Sequence, residues 1–464
     1  MEYPLKSLNI TLLALALFMP GLAVAKVHEY QLENGLKILV KEDHRAPVVV
    51  SQVWYKVGSS YEHDGITGVS HALEHMMFKG TQKYGPGEFS RIISENGGRD
   101  NAFTGSDYTA YFQTMEKSRL KISFELEADR MRNLILPKEE FLKEIEVVKE
   151  ERRWRTEDNP QSYTYEASMA TAFQTSPYRF PVIGWMQDLD NMTIEDLSAW
   201  YQKWYAPNNA TVVVVGDVVA DEVYALAKEH FGPLPKGEPI EMKVLEEVEQ
   251  MGAKRLKVKR PAELPYLMMT YKTPVIKPGS EDDENWSWEP YALEVLAAII
   301  DGGNSARFSS RLVRGSEVAS SASAGYRMAS RLDNLFLFSG TPSKDKTIQD
   351  LEVAFRKEII DIQNNPVTEA ELQRVKAQVI SSDVYEKDSV FYQAMIIGTL
   401  ETIGLSWRLA DKYVERINSV TAEQVMEVAK KYLVDDRLTV SELDPLPMDK
   451  APKRPPAGGF GHGH

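Results

Sequence analysis

Two histidines and a glutamate stand within HALEH, the five residues from His71 to His75. The whole chain has only eight histidines, so two within one helical turn form an unusual concentration. On a helix, His71 and His75 stack on one face and Glu74 lies on its neighbouring edge. Two imidazoles at this spacing can hold a metal ion, while a carboxylate that is not a ligand acts on the water that the metal activates. The stretch therefore predicts a metal-dependent hydrolytic site. The alternative is a surface helix with a chance acid.

A catalytic zinc site also needs a third protein ligand and one open position. The segment FLKEIEVVKEERRW offers Glu144, Glu146, Glu150 and Glu151. On a helix, Glu144, Val147 and Glu151 share one face, whereas Glu146 and Glu150 belong to a face that has a solvated pattern. We predict Glu151 as the third ligand and Glu144 as the residue that supports the ligands from behind. The alternative is an ordinary charged helix face.

The composition limits the classes of site and partner. The chain has 0 cysteines, which excludes disulfides and thiol nucleophiles and leaves His, Asp and Glu as metal ligands. Its formal net charge of -14 argues against a nucleic-acid partner, since a phosphate backbone requires a basic surface. A structural zinc site is the alternative to a catalytic one. Two histidines with a free carboxylate and no cysteine fit an open catalytic site better.

The first 25 residues have the pattern of a signal peptide. Lys6 precedes the apolar run LNITLLALALF, Pro20 ends it, and Ala23 and Ala25 provide a small-residue cleavage site. We predict cleavage after Ala25 and export, and the lack of cysteine favours a bacterial periplasm. An uncleaved membrane anchor is the alternative, although the apolar run is short for a bilayer.

The rest of the pattern predicts an α+β chain with two halves of similar size. The strand candidates are LKILVKED, PVVVSQVWYKVGS, TAYFQTM, NATVVVVGDV, LPYLMMTYKTP, SSASAGYR and NLFLFSGTP. The helix candidates include 68–78, 118–136, 138–157 and YALEVLAAIIDGG. We divide the chain into a signal peptide (1–25), an N-terminal metal-binding domain (26–238), a linker (239–260), a C-terminal domain (261–447) and a disordered tail (448–464).

The chain resembles the pitrilysin/insulinase family of inverted zinc metalloproteases, in the branch that includes the mitochondrial processing peptidase. HALEHMMFKGT, ENGGRDNAFTGSDYTAYF, EIEVVKEE, NATVVVVGDV and GGNSARFSSRL carry the resemblance, which spans nearly the whole mature chain. It implies two similar α/β domains of the LuxS/processing-peptidase-like fold, each with a mostly antiparallel sheet flanked by helices. It also implies hydrolysis of peptide bonds in extended peptides or unfolded segments.

The resemblance assigns roles to individual residues. It implies one Zn²⁺ per chain on His71, His75 and Glu151, with Glu74 as the general base and Glu144 as support for the site.

The resemblance also implies substrate contacts. These fall at Asn101, Ala102 and Phe78, and the strand with Asn101 and Ala102 pairs with the substrate backbone.

The C-terminal half departs from single-chain active relatives, which carry an Arg and a Tyr, seven apart, that hold the substrate. Arg314 is close to the Arg position, but Ser320 or Ser321 takes the Tyr position. Tyr326 lies too far along the chain from Arg314 to match the Tyr position. In the family this split accompanies a metal-binding subunit that works with a non-metal-binding homologue. We therefore predict such a heterodimer, with a homodimer as the alternative. A poorly active metal-binding subunit or an idle peptide-binding subunit are the alternatives in function.

Overall fold

The computed structural model describes residues 26–241, 245–280 and 286–450. The predicted signal peptide and the predicted tail after residue 450 lie outside the described residues. The first residues assigned to that tail, Met448–Lys450, form a single 3-10 turn. Each half of the chain supplies one sheet with helices on its faces. The prediction of an α+β chain with two similar α/β domains is confirmed.

The first sheet consists of six strands from the N-terminal half. They are β1 (Val27–Gln31), β2 (Lys37–Glu42), β3 (Val48–Tyr55), β4 (Arg99–Thr104), β5 (Thr109–Glu116) and β6 (Ala210–Gly216). Their spatial order is β1-β2-β6-β3-β5-β4. β2 and β6 are parallel, and the other neighbours are antiparallel. The apolar run of β6 is buried throughout, because the strand lies inside the sheet with both faces covered.

The second sheet consists of five strands from the C-terminal half. They are β7 (Lys254–Pro261), β8 (Tyr266–Thr273), β9 (Ala319–Gly325), β10 (Asn334–Pro342) and β11 (Leu438–Leu446). Their order, β7-β11-β8-β10-β9, matches that of the first sheet without β1. The one parallel pair, β7 with β11, corresponds to β2 with β6. The two halves therefore share one topology.

All but the last residue of strand β7 lies within the range predicted as a linker. Its alternating sequence KRLKVKR turns Val258 into the core and leaves Arg255 and Lys257 exposed. β7 is an edge strand, and edge strands tolerate charged residues on the solvent side. The second half therefore begins at about Lys254, and the charge of this segment concealed its strand pattern.

The helices also follow one another in a similar order in the two halves. The N-terminal half has α1 (Val69–Met76), α2 (Glu88–Glu95), α3 (Leu120–Asn133), α4 (Lys138–Arg152), α5 (Pro160–Ala172), α6 (Met186–Asn191), α7 (Ile194–Trp204) and α8 (Ala220–Phe231). The C-terminal half has α9 (Glu289–Asp301), α10 (Ile348–Asn364), α11 (Glu369–Glu386), α12 (Val390–Thr402), α13 (Leu409–Ser419) and α14 (Ala422–Tyr432). Within the described ranges, no helix has both the length and the apolar composition needed to cross a membrane.

Each half contributes one helix that packs on the sheet of the other half. α5 packs on β11 and β7 of the second sheet, and α12 packs on β6 and β3 of the first. Gly398 of α12 lies so close to the indole of Trp54 that a Cβ would collide with it. On the other side, the guanidinium of Arg260 lies 3.8 Å from the ring centre of Tyr163 on α5. Each sheet is thus covered by a helix from the other half, which joins the halves into one body.

Candidate metal centre

Helix α1 carries both histidines of HALEH. Its apolar residues recur at i, i+3, i+4 and i+7 between Val69 and Met76, and all are buried in the N-terminal core. When this face docks, His71 and His75 project toward α4, which packs against α1. The local sequence thus determines the helix, and its apolar face determines the direction of the histidines.

The start of α1 is held by a buried carboxylate. Glu62 accepts hydrogen bonds from the backbone N–H groups of Gly68 (2.7 Å) and Ser70 (2.9 Å), two donors that the helix itself leaves unpaired. Burial raises the pKa of Glu62 to about 7, and the two N–H groups oppose this shift. Gly68 has φ of 87°, and a Cβ there would lie 2.6 Å from the carbonyl oxygen of Ile183. Glycine is therefore required at this close contact.

Helix α4 presents Glu144 and Glu151 two turns apart on one face. At its C-terminal end, Arg152 donates to both carboxylate oxygens of Glu166, at 2.8 and 2.9 Å. Arg152 also donates to the carbonyl oxygen of Gly184 at 2.8 Å. Because Gly184 lies against Gly68 at the start of α1, these bonds fix the end of α4 relative to α1.

His71, His75 and Glu151 form a compact cluster. Their potential ligand atoms all lie within 4.8 Å of one another, and among the described residues they form the group that could hold a metal ion. Oε2 of Glu151 lies 3.7 Å from Nε2 of His71 and 3.4 Å from Nε2 of His75. Atoms that share a zinc ion at bonds of about 2 Å in a tetrahedron lie about 3.3 Å apart. Two nitrogen donors and one carboxylate oxygen at these separations fit zinc.

The cluster has an uneven charge distribution. Burial and the neighbouring His75 lower the pKa of His71 to about 3, so this imidazole is neutral, as a metal ligand must be. For His75, burial opposes protonation, but hydrogen bonds to Glu144 and Glu151 outweigh it and raise the pKa to about 9. Burial would raise the pKa of Glu151, but the hydrogen bond to His75 and nearby positive charge lower it to about 2. The carboxylate of Glu151 is therefore ionised, as a metal ligand must be.

Glu144 orients one of the two histidines. Its Oε1 lies 2.9 Å from Nδ1 of His75, and its Oε2 lies 2.5 Å from Nζ of Lys79. Metal binding would require His75 to lose its Nε2 proton. The remaining proton on Nδ1 would face Glu144, and the Nε2 lone pair would face Glu151 and the metal position. Nδ1 of His71 is buried and has no hydrogen-bond partner among the described residues. Of the two imidazoles, only that of His75 thus has a described hydrogen-bond partner at Nδ1.

Glu74 lies beside the cluster and is half-buried. Its Oε2 accepts a hydrogen bond from Oγ1 of Thr104 at 2.5 Å. Burial raises the pKa of Glu74, whereas Thr104 and the charge of His75 lower it. A carboxylate with a raised pKa beside a metal position is suited to accept and return a proton near neutral pH.

Arg155 contacts the carboxylate of Glu151 from the solvent side. Its Nη1 lies 2.6 Å from Oε1 of Glu151, while Oε2 faces the two histidines. Arg155 belongs to a π-helical turn, Arg153–Glu157, that continues α4. Such turns occur frequently at functional sites. This turn gives the carboxylate a different partner for each oxygen.

Strand β4 carries Asn101 and Ala102 at the edge of the first sheet. It pairs with β5 on one side, and no other described strand pairs with it. Asn101 is exposed and Ala102 is half-buried. Thr104, which holds Glu74, ends this strand, so the free edge leads to the cluster.

Phe78 packs against aromatic side chains of the N-terminal half. Its ring packs 6.4 Å from that of Phe89 and 6.2 Å from that of Tyr111, and the guanidinium of Arg130 lies 5.2 Å from its centre. These contacts belong to the N-terminal core. These are packing contacts, and the role of Phe78 in substrate binding stays a prediction.

The turn after β4 contacts the C-terminal half. Asp107 is buried and accepts hydrogen bonds from Ser60 Oγ (2.8 Å), Tyr178 OH (2.5 Å) and the backbone N–H of Arg331 (3.1 Å). The side chain of Arg331 donates to Ser60 Oγ at 2.8 Å. The position of β4 at the cluster thus depends on contacts with the second half.

The positions weighed for an Arg/Tyr pair all lie in the C-terminal half. The guanidinium of Arg314 donates to the carbonyl of Asn304, and Oγ of Ser320 donates to that of Thr341 at 3.1 Å. Ser321 lies on the edge strand β9. The hydroxyl of Tyr326 donates to the carbonyl of Pro274 at 2.5 Å. Arg314, Ser320 and Tyr326 are thus engaged within their own half.

Family models match both halves of the chain. The model described as Insulinase (Peptidase family M16) matches residues 37–184, and that described as Peptidase M16 inactive domain matches residues 191–379. The chain therefore belongs to the M16 peptidase family, as the HxxEH helix and the two-domain fold predict. The inactive-domain model falls on the half in which the described residues contain no metal-ligand cluster.

Relatives cover the chain almost completely. The zinc protease PqqE of Helicobacter pylori is 32% identical over 449 residues, which are 94% of this chain and 97% of the relative. A solved protease structure from Helicobacter pylori matches with a TM-score of 0.85 at 30% identity and covers 91% of this chain and 100% of that one. The periplasmic protease PqqL of Escherichia coli shares the fold, with a TM-score of 0.75 at 21% identity. Here the match covers 91% of this chain and 48% of that one.

Three residues at the site were not identified from the sequence. Thr104 lies within ENGGRDNAFTGSDYTAYF, but its contact with Glu74 depends on how β4 crosses α1. Glu62 lies before α1 in a segment without periodicity. Arg155 lies at i+4 from Glu151, a spacing that could have identified it as a neighbour of the third ligand.

Proposed function

We propose that this protein is a zinc-dependent endopeptidase that cleaves extended peptides or unfolded segments. One observation carries the proposal: His71, His75 and Glu151 converge beside Glu74, which is held by the last residue of a free edge strand. The metal group and the proton acceptor thus adjoin a surface that can take an extended backbone. The family and the zinc protease relative support this assignment.

The chemistry divides between the metal and the chain. Zinc, when bound by His71, His75 and Glu151, would polarise a scissile carbonyl and lower the pKa of water toward about 7. Glu74 would accept the proton of the attacking water and return it to the leaving amine. Thr104 holds one oxygen of Glu74, and the other oxygen has no hydrogen bond from another described residue. That oxygen is the one suited to the proton transfer.

The substrate would bind as an added strand on β4. Backbone pairing provides affinity for an extended peptide without reading many side chains. Asn101 has the exposure expected of a contact residue, and Phe78 is half-buried beside Phe89 and Tyr111. This arrangement suits peptides and unfolded segments, because a folded protein does not offer a free extended backbone.

We propose that a homologous subunit without the metal group completes the enzyme by supplying an Arg/Tyr pair. Arg314 and Ser320 are bonded within their own half, which supports the absence of that pair here. The match to 48% of the E. coli chain shows that a longer relative has room for a second unit of this size. A homodimer is the other arrangement, and size measurement with and without the homologue distinguishes them.

We also propose that the chain is exported to a periplasm and cleaved after Ala25. The support is the sequence pattern of residues 1–25. Amino-terminal sequencing of the protein recovered from the periplasmic fraction tests it. A mature chain that begins at Lys26 supports cleavage, and an intact Met1 in the membrane fraction supports the anchor instead.

The decisive experiment combines zinc content with cleavage of an unfolded-peptide pool. We expect Glu74→Gln to retain zinc and to lower the cleavage rate by about a thousandfold, because it removes the proton acceptor but no ligand. Glu150→Gln is the matched control, since Glu150 is 66% exposed and faces away from the cluster. The assay uses the mature chain alone and then with its homologue. Zinc without cleavage in both assays would favour an idle peptide-binding subunit.

A further inference from the structure

The side chain of Glu74 depends on a β-hairpin for its orientation. Among the described residues, only Thr104 donates a hydrogen bond to this carboxylate. Thr104 is the last residue of β4 and pairs with Thr109, the first residue of β5. Residues 105–108 form the turn between the two strands, and the N–H of Gly105 donates to the carbonyl oxygen of Tyr108 at 2.8 Å. A shift of this turn would therefore move the hydroxyl that orients Glu74.

The segment after β3 supports the turn from within the N-terminal half. The N–H of Ser59 donates to the carbonyl oxygen of Gly105 at 3.2 Å, and that of Ser60 donates to the carbonyl oxygen of Ser106 at 2.8 Å. The two backbones are in close contact, because a Cβ at Gly58 would lie 2.3 Å from the carbonyl oxygen of Gly105. The position of the turn thus follows that of the segment after β3.

Arg331 of the C-terminal half joins the turn to this supporting segment. Its Nε lies 3.4 Å from Oδ1 of Asp107, the buried carboxylate of the turn. Its Nη2 donates to Oγ of Ser60 at 2.8 Å and to the carbonyl oxygen of Ser60 at 3.1 Å. The guanidinium also lies 4.3 Å from the ring centre of Tyr61. One side chain of the C-terminal half thus holds both the turn and the backbone on which the turn rests.

The simplest alternative is that Arg331 only joins the two halves. Another arginine, Arg408, makes such a contact, since its Nη2 lies 3.2 Å from Oε2 of Glu29 on β1. β1 and β4 are the opposite edges of the first sheet. Arg408 therefore lies at the edge far from Glu74, whereas Asp107, the partner of Arg331, is three residues from Thr104. This difference in place allows a positioning role to be separated from a joining role.

We propose that Arg331 is a positioning residue for Glu74: it holds the β4–β5 turn through Asp107, and the turn holds Thr104 against the carboxylate. The proposal rests on the proposed peptidase function for the role of Glu74 as the base. It gives the C-terminal half, whose described residues contain no metal cluster, a contribution to the catalytic step rather than to zinc binding.

The first test separates the catalytic step from binding. We expect Arg331→Met to lower kcat by about tenfold, because a misplaced base weakens the transition state. KM and zinc content should stay within about twofold, since β4 keeps its pairing with β5 and every proposed ligand remains. Steady-state cleavage of one unstructured fluorogenic peptide measures kcat and KM, with the homologue present if cleavage requires it. Arg408→Met is the matched control and should leave kcat unchanged. A rise in KM with kcat unchanged, or a loss of zinc, would overturn the proposal.

The second test asks whether the effect passes through Thr104. Thr104→Val removes the hydroxyl and keeps the branched shape. In this background, Arg331→Met should lower kcat by no more than about a further twofold, because the hydrogen bond that it disturbs is already absent. In the Thr104→Ser background, which keeps a hydroxyl, the loss of about tenfold should return. Equal losses in both backgrounds would contradict the proposed path.

The third test needs no cleavage. Crystal structures of the wild type and Arg408→Met should show Oγ1 of Thr104 bonded to Glu74, with the carboxylate in one conformer. In Arg331→Met the two oxygens should lie more than about 3.5 Å apart, or the carboxylate should occupy more than one conformer. An unchanged Glu74 in Arg331→Met overturns the proposal.

A milder variant covers the case in which Arg331→Met does not fold. Tyr178→Phe removes another donor to Asp107, whose bond is 2.5 Å long, and the same results are expected of it in all three tests. If the wild type itself cleaves no peptide, the proposed peptidase function fails, while the crystal structures still decide whether Arg331 positions Glu74.

Discussion

The two halves of the molecule share a strand order and a helix order but differ in what one helix pair encloses. Between α1 and α4 lie two histidines and a glutamate that fit zinc. Between α9 and α11 lies a cavity lined by tyrosines and carboxylates. The two halves thus contain equivalent helix pairs, α1 with α4 and α9 with α11. The side chains on each pair decide whether a ligand cluster or a cavity lies between the helices. This agrees with the general observation that function resides in sites placed on folds.

The halves also depend on each other. α5 and α12 each cover the sheet of the other half. Asp107 of the N-terminal half also accepts a hydrogen bond from the backbone N–H of Arg331 in the C-terminal half. The C-terminal half therefore contributes to the position of β4 even though the described part of it has no metal cluster. A half without ligands can be required for a site in the other half.

The largest expected effect concerns the three proposed metal ligands. We expect Glu151→Gln to lower zinc affinity by about a thousandfold, because it removes one of the three side chains proposed to hold zinc. Glu150→Gln, its exposed neighbour, and Glu294→Gln, in the other half, should leave affinity unchanged. Titration with a competing chelator measures this. If Glu294→Gln also lost zinc, the contrast between the halves would be wrong.

The second effect is a pH-dependent stability difference at Glu294, a residue of α9 that lines the cavity. The unfolded chain releases this proton near pH 4.5 and the folded chain near pH 7, since burial raises the pKa of Glu294 to about 7. Stability is therefore lost as the pH rises through this window, by about 3 kcal/mol. The Glu294→Gln variant has no such ionisation. Its free energy of unfolding relative to that of the wild type should therefore rise between about pH 5 and about pH 8. Urea denaturation measures it, with Glu415→Gln on the exposed side of α13 as control. A stability difference that is equal at about pH 5 and at about pH 8 would contradict a raised pKa of Glu294.

Glu144 allows a finer test of the metal half. Glu144→Gln should lower zinc affinity by about 10- to 100-fold, because it weakens the hold on His75 but leaves every ligand in place. The loss should therefore be smaller than that of Glu151→Gln in the same titration. Glu140→Gln, one turn earlier on α4 and bonded to Lys143, is the control. An effect as large as that of Glu151→Gln would assign Glu144 to the metal itself.

The smallest effect compares the two halves as folding units. Thr193 and Thr421 form capping boxes at the starts of α7 and α14, which precede the last strand of each sheet. Thr193→Ala and Thr421→Ala should each lower the free energy of unfolding by about 1 kcal/mol. Because the halves exchange α5 and α12, we expect both variants to shift one common transition in calorimetry. Two transitions, each moved by one variant, would show that the halves unfold separately.

Local patterns predicted much of the fold. The helix predicted at 68–78 is present as α1, and the apolar runs predicted as strands are present as β3, β6, β8 and β10. The family assignment is also confirmed. The prediction failed at β7, because an edge strand with alternating charges looks like a linker. Periodicity reports which face of an element is buried, but only where burial differs clearly between the faces.

The sequence by itself determined the helical spacing of His71, Glu74 and His75 and the shared face of Glu144 and Glu151, because these relations lie within single helices. Only the tertiary structure decided that α1 meets α4, that Thr104 holds Glu74, and that the halves exchange α5 and α12. It also decided that the counterpart of the metal position is a cavity. Such contacts join residues far apart in the chain, and they depend on the packing of whole elements rather than on any local pattern.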